Sequence, residues 1–460
     1  MVTLKNRFQG GTLLFLLVSL VALAIVWLLQ SDDYTLSVVY CTLAVYSVFI
    51  LWKCSREKIT LLLCIILCYH FFIGGRFWLF LFSQEHPIFE ITWYANYAPT
   101  GYEKLRIFAY VVLFYVMITV GASIEWSRDR KLKFVPQNKV NGAKIDNVIN
   151  RLFPILVLFA LYHAYNSLSY ALSHGYETIA LNSDAESNLS YSVKFSRMSI
   201  IVFTGLAIAY GQKRTVIKYI CLLLFTGVVT IICGSRGTFG SVVLFIIWAY
   251  SRYHKVSLKR LMVYGFAGIA TLLFLFSISL RDSGAGGIAG LTPLEVFSDF
   301  LYSNGVSLMV FGVSMTVTGY PTIQYFQTLI PGVNFLYSHI SGIPLKPEQA
   351  SFQGHLCNTL DSDLFYSGAG LGWTTNGDIY LFSSGFLVVY CILCFLLGRL
   401  ISYIDICSYK SRFGLYLAGA IAFDTFAVSR GSLSNFFAMI PYIYAYYFLI
   451  LYLTRIVKKK

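Results

Sequence analysis

TLLFLLVSLVALAIVWLL at Thr12–Leu29 and TLSVVYCTLAVYSVFILW at Thr35–Trp52 are two uncharged runs set apart by the acidic step Ser31-Asp32-Asp33. Each is long enough to cross a hydrocarbon layer of about 30 Å as an α-helix, which takes roughly 17–25 apolar residues. Lys53, Arg56 and Lys58 follow the second run, while the turn between the runs holds only acids. That asymmetry is the signature of a helical hairpin whose basic ends stay in the cytoplasm. Lys5 and Arg7 precede the first run, which lacks a small-x-small cleavage step and therefore reads as an uncleaved first span.

The rest of the chain extends the pattern. With 57% hydrophobic and 12% charged residues, the composition lies far from that of a soluble protein. Ten further apolar runs complete an all-α, polytopic arrangement of about twelve transmembrane helices. They fall at 59–80, 105–124, 152–172, 195–210, 216–233, 237–250, 261–280, 379–401, 413–428 and 433–453. Alternate connections carry Arg128 to Lys144, Lys213 to Lys218, Arg252 to Arg260, Lys410 with Arg412, and Arg455 to Lys460. The intervening ones carry Glu85, Glu90, Glu177, Asp184 and Glu186. The formal charge of +14 is thus mainly an orientation signal, and it calls for no nucleic acid. Both termini are expected in the cytoplasm of a multi-pass membrane protein. Most of the ten cysteines sit inside apolar runs as packing residues, the Cys391-x-x-Cys394 pair included.

The expected organisation is nine spans over 1–280, a large periplasmic segment over 281–378, and three spans over 379–460. Two semi-apolar pieces of the middle segment, Val306–Thr318 and Thr322–Leu336, are short for spans and read as interfacial or re-entrant helices, the alternative being two further crossings that keep the parity and make fourteen spans. A segment this long is uncommon unless it is functional.

Four arginines, Arg76, Arg236, Arg281 and Arg430, fall at expected outer helix ends, against the charge rule. A guanidinium at such depth must face protein, water or an anion, and its planar fork suits phosphate oxygens. Diphosphate binding is the functional reading; the plain alternative is an arginine snorkelling to the interface. Arg106 and Arg197 lie beside loop lysines and read as anchors. Two of the four share a tight turn, Ser235-Arg236-Gly237-Thr238 and Ser429-Arg430-Gly431-Ser432. Gly237 and Gly431 permit a left-handed backbone there, and the amides of the next helix can hold an anion oxygen beside the arginine. Asp424 lies inside the eleventh span and reads as an ion-pair partner supporting a neighbouring arginine. If a sugar hydroxyl attacks, a base must take its proton, and His339, His355, Asp361, Asp363 and Asp378 are the candidates. Asp361-x-Asp363 is explained as well by a solvated turn, so no metal is assigned, and no cofactor is expected. The chain has no Walker loop, His-Glu-x-x-His motif or serine elbow.

These features together resemble the Wzy-type O-antigen polymerases, and more distantly the O-antigen ligases. The resemblance rests on the span count with a late outer loop, the Ser-Arg-Gly turns, and the stretch Gly368 to Tyr380 followed by Gly385. It implies a C-type glycosyltransferase architecture acting on undecaprenyl-diphosphate-linked glycans. It also implies a chain-length regulator and a flippase as partners in the same pathway. Two other readings stand beside it: a ligase delivering glycan to lipid A core, and a lipid-linked oligosaccharide flippase. A flippase should show two related halves with charges near the midplane, whereas the arginines here cluster at helix ends.

Overall fold

The computed structural model describes residues 2–128, 139–181, 191–232, 236–254, 256–257, 259–260, 263, 265, 267–268, 270, 292–330, 332–426 and 428–456. Among them there is no strand, only an isolated bridge between Ile91 and Tyr97. The helices divide between two compact units.

In chain order the helices are α1 (Val2–Leu28), α2 (Asp33–Cys54), α3 (Leu61–Phe72), α4 (Gly75–Phe80), α5 (Gly101–Arg128), α6 (Lys139–Leu181), α7 (Tyr191–Tyr210), α8 (Lys213–Ile232) and α9 (Arg236–Tyr253). After residue 292 come α10 (Pro293–Asn304), α11 (Ser307–Ser314), α12 (Thr322–Leu329), α13 (Val333–Ser341), α14 (Pro347–Ala350), α15 (Phe352–Leu360) and α16 (Ser362–Tyr366). The last are α17 (Thr375–Phe382), α18 (Leu387–Lys410), α19 (Arg412–Phe426) and α20 (Leu433–Ile456), with a 3-10 turn at Val428–Arg430 before α20.

The first unit is Met1–Arg130, Gly290–Tyr403 and Val428–Asn435. Its helices start where the sequence supplies caps. Asp32 accepts from the Thr35 amide at the head of α2, and Thr292 with Glu295 forms a reciprocal capping box before Pro293 at the head of α10. Helices α5 and α18 meet at small residues: a Cβ on Gly121 would run into the Phe395 carbonyl, and one on Gly398 into that of Ile118. Such close approach is the usual device of helix contacts in membranes. The second unit, Lys131–Ala289, Ile404–Ala427 and Phe436–Lys460, uses the same device, since a Cβ on Gly205 of α7 would lie 2.8 Å from the Ala420 amide of α19.

Seven helices among the described residues are long and apolar enough to cross a membrane: Gly10–Leu28, Asp33–Cys54, Gly101–Ser127, Ala143–Ser169, Leu294–Ser314, Leu387–Lys410 and Leu433–Ile456. Six coincide with expected spans. Shorter apolar helices occupy three more, at Leu61–Phe72, Phe195–Tyr210 and Phe239–Tyr253. The expected span 59–80 is broken between Phe72 and Gly75, and the expected span 261–280 lies largely outside the described residues. Leu294–Ser314 was not among the expected spans. It is two helices, α10 and α11, joined at Gly305, and every residue of α11 is buried in protein. The chain is a multi-pass membrane protein: α1 and α18 expose Leu13, Val21, Val388 and Ile392, each more than half accessible, as lipid-facing spans do.

Candidate functional site

The stretch Thr374-Thr-Asn-Gly-Asp378 builds a hub in the first unit. Thr374 caps α17 by accepting from the Gly377 amide, so the next residues emerge from the first turn of a helix in fixed directions. Thr375 Oγ1 lies 2.6 Å from the Val428 carbonyl and 3.1 Å from that of Gly431, and donates across that pair. Asn376 donates to the Tyr69 hydroxyl of α3 at 2.9 Å. The carboxylate of Asp378, fully buried, accepts from Trp373 Nε1 at 2.6 Å, Ser432 Oγ at 2.9 Å and the Leu433 amide at 2.5 Å. Two residues on, the Tyr380 hydroxyl accepts from Arg106 Nη2 at 2.6 Å. One short helix therefore grips α3, α5 and the turn that carries Arg430.

That turn presents Arg430 outward. Its guanidinium donates through Nη1 to Asn304 Oδ1 at 2.9 Å and lies 5.6 Å from the centre of the Phe72 ring, while the side chain stays exposed. Arg76 converges on the same end of α10 but is buried. Its Nη1 donates to the Ile88 and Glu90 carbonyls and its Nε to that of Tyr302, whose ring lies 4.1 Å from the guanidinium. Bonds to three backbone carbonyls tie the chain together around Arg76.

Asp378 is buried as well. Burial raises its carboxyl from the ordinary value to about 7, against the lowering effect of its three donors. With both oxygens engaged inside protein, it positions the Arg430 turn and the head of α20. His355, in contrast, is half-buried on α15. Its Nε2 lies 3.1 Å from the Thr318 carbonyl, which can only accept, so Nε2 carries the proton and Nδ1 is the basic nitrogen of the neutral ring. A run of contacts joins it to the hub: the His355 ring is 4.8 Å from that of Tyr320, which is 6.2 Å from Trp373. His339 stands apart, exposed and stacked on Phe335 within α13.

Of the remaining expected residues, Gly431 belongs to the hub through its carbonyl. Arg236 and Gly237 open α9 in the second unit, so the two Ser-Arg-Gly turns belong to different units, and Arg281 lies outside the described residues. Gly431 follows Arg430 with its amide on the Val428 carbonyl. Asp424 is buried in α19 of the second unit, whereas Arg430 belongs to the first. Next to Asp424, the Phe423 ring has the Arg197 guanidinium 5.7 Å from its centre. Sequence reasoning missed Asn304, Thr375, Asn376 and Trp373, which are uncharged, and set Arg106 aside as an anchor. The one available signal was the capping threonine at 374.

The family model described as O-antigen polysaccharide polymerase Wzy matches residues 12–460, essentially the whole chain. No curated protein and no solved structure matches.

Proposed function

The chain belongs to the O-antigen polysaccharide polymerase family and polymerises O-antigen repeat units; from that premise we propose that the Arg430 hub is where the lipid diphosphate leaves. The ligase and flippase readings are not favoured by a match of this length. The substrate is a lipid-linked oligosaccharide repeat unit. In the proposed reaction a sugar hydroxyl of one such unit attacks the anomeric carbon of a growing chain carried on undecaprenyl diphosphate. The carbon–oxygen bond to the diphosphate breaks, the new glycosidic bond forms, and the hydroxyl proton passes to a base.

The observation that carries this reading is the exposed Arg430, held by Asn304 and Phe72 on a turn fixed by Thr375 and Asp378. A cation already held in place costs no reorganisation as negative charge develops on the leaving group. Arg236 and Arg281 are the further cations proposed for the diphosphate. His355 is the proposed base through Nδ1, a role that its partial exposure and the fixed tautomer support. The reaction is assigned to the periplasmic face of the inner membrane, with residues 281–378 on that side and both termini in the cytoplasm. This side follows from the distribution of Lys and Arg. A chain-length regulator and the pathway's flippase are the proposed protein partners.

The test is surface-polysaccharide gel analysis in a deletion strain complemented with the wild type, Arg430→Ala or His355→Ala, with membrane abundance measured in parallel. Loss of the ladder in Arg430→Ala at unchanged abundance is the expected result. A normal ladder in that variant would remove Arg430 from the mechanism.

A further inference from the structure

Helices α12 and α13 are built inside out for a surface that meets water. The only buried residues of α12 are polar, Gln324 and Thr328, and α13 buries none. Their polar groups turn inward. Gln324 Nε2 donates to the Glu348 carbonyl at 3.0 Å, and Asn334 Nδ2 to that of Ala350 at 2.7 Å. The Asn334 amide donates to Gln327 Oε1 at 3.0 Å, which fastens the two helices to each other. The apolar side chains turn outward instead: Phe326 is 54% exposed, Ile330 55%, Phe335 72%, Leu336 54%, Ile340 83% and Ile343 63%.

A contiguous apolar face of this kind needs an occupant, and its position identifies one. Tyr325 of α12 packs against Phe382 at 5.5 Å between ring centres, edge to face. Phe382 ends α17, and five residues later the chain enters α18, with Phe386 just before it 69% exposed and Val388 in its first turn 71% exposed. In a helix that crosses a membrane, that face meets acyl chains. The apolar side of α12 and α13 is therefore continuous with a surface already covered by lipid. At eight and nine residues, the helices are about 12 and 14 Å long, too short to cross. Their lengths and one-sided faces are those of helices lying in the plane of an interface.

We propose that α12 and α13 form a hairpin seated in the hydrocarbon of the leaflet on their own side, with bilayer acyl chains as the occupant. It fixes the segment that bears His355 to the membrane surface independently of substrate, and it does not rest on the reaction proposed for Arg430. His339, stacked on Phe335, lies on this hairpin at the lipid boundary.

The test places a genetically encoded, environment-sensitive fluorescent residue at position 340 of the full chain, and separately at 335, in phosphatidylcholine vesicles. Positions 388 and 318 serve as the lipid-facing and water-facing references. The expected result is quenching at 340 and 335 by bromine-labelled acyl chains, to at least half the extent seen at 388, with little quenching by aqueous iodide. Iodide quenching like that at 318 overturns the proposal in favour of a water-exposed face. Quenching by neither agent overturns it equally, because a second copy or another protein then covers the face. Both substituted side chains point outward, so each position reports even if the other perturbs folding.

Discussion

Two fully buried aspartates, one in each unit, are stabilised in opposite ways. Asp405 in α18 faces a cation: Arg252 Nη2 lies 2.9 Å from its Oδ1, and Trp248 Nε1 is 3.3 Å from the same oxygen. The Arg252 guanidinium sits 4.5 Å from the centres of both the Trp248 and Tyr409 rings, and its Nη1 donates to Ser408. Charge is matched inside protein there. Asp378 is held by three neutral donors, while the nearby Arg430 donates elsewhere and stays exposed. A carboxylate that keeps its cation locks a fold. One held by neutral donors organises a turn instead, and the arginine on that turn stays exposed.

The largest expected effect belongs to the sealed pair. Arg252→Ala leaves Asp405 charged and buried, which costs about 3–5 kcal/mol. The expected outcome is a sharp fall in membrane abundance and in the apparent unfolding temperature in detergent. Replacing both partners with apolar residues of similar volume, Arg252→Met with Asp405→Leu, should recover most of that loss. If the single variant is as abundant as the wild type, the pair is not a lock and the contrast with Asp378 fails.

A smaller effect is expected at Asp378. Asp378→Asn keeps the shape but sets an amide N–H against one of the three donors, at a cost of about 1–3 kcal/mol. The protein should still accumulate while the polysaccharide ladder shortens, because the turn that aims Arg430 is displaced. A shift in unfolding temperature with an unchanged ladder would show that the hub supports the fold alone.

Smaller again is the expected effect of Gly305→Ala. A Cβ at this position would lie 2.6 Å from Arg76 Cγ and 3.0 Å from the Arg76 amide. The backbone φ of −69° is ordinary, so the glycine is required for space and not for conformation. Overpacking of this kind costs about 1–3 kcal/mol. Unfolding temperatures of the variant and wild type measure it.

How much of this was legible beforehand follows from the physics of each signal. Membrane spans announce themselves by length and apolarity, and most were found at Thr12–Leu29, Thr35–Trp52 and onward to the C-terminus. Leu294–Ser314 escaped because Asp299, Asn304 and Gly305 dilute its apolar character, and because its burial is against protein. Arg430 was legible as a charge out of place. Arg76 looked the same in sequence, and only the carbonyls of Ile88, Glu90 and Tyr302 separate the two. Those contacts are long-range, and no local pattern encodes them. Asn304 and Thr375 are ordinary polar residues whose importance comes entirely from what they touch.

The pH dependence of stability gives the finest separation of the two aspartates. Burial raises the Asp378 carboxyl from an unfolded value of 3.8 to about 7, so between those values the native chain keeps a proton that the unfolded chain has released. With more protons bound in the native state, stability falls as pH rises, by on the order of 1 kcal/mol per pH unit at most. The contribution is complete below about pH 4 and is lost as pH passes through about 7. The apparent unfolding temperature in detergent should therefore decline from pH 5 to pH 7.5, and the decline should be shallower in Asp378→Asn, which has no proton to lose. If wild type and variant show the same slope, the proton is held elsewhere. Asp378 would then be ionised throughout this range, and its three donors would outweigh the cost of burial.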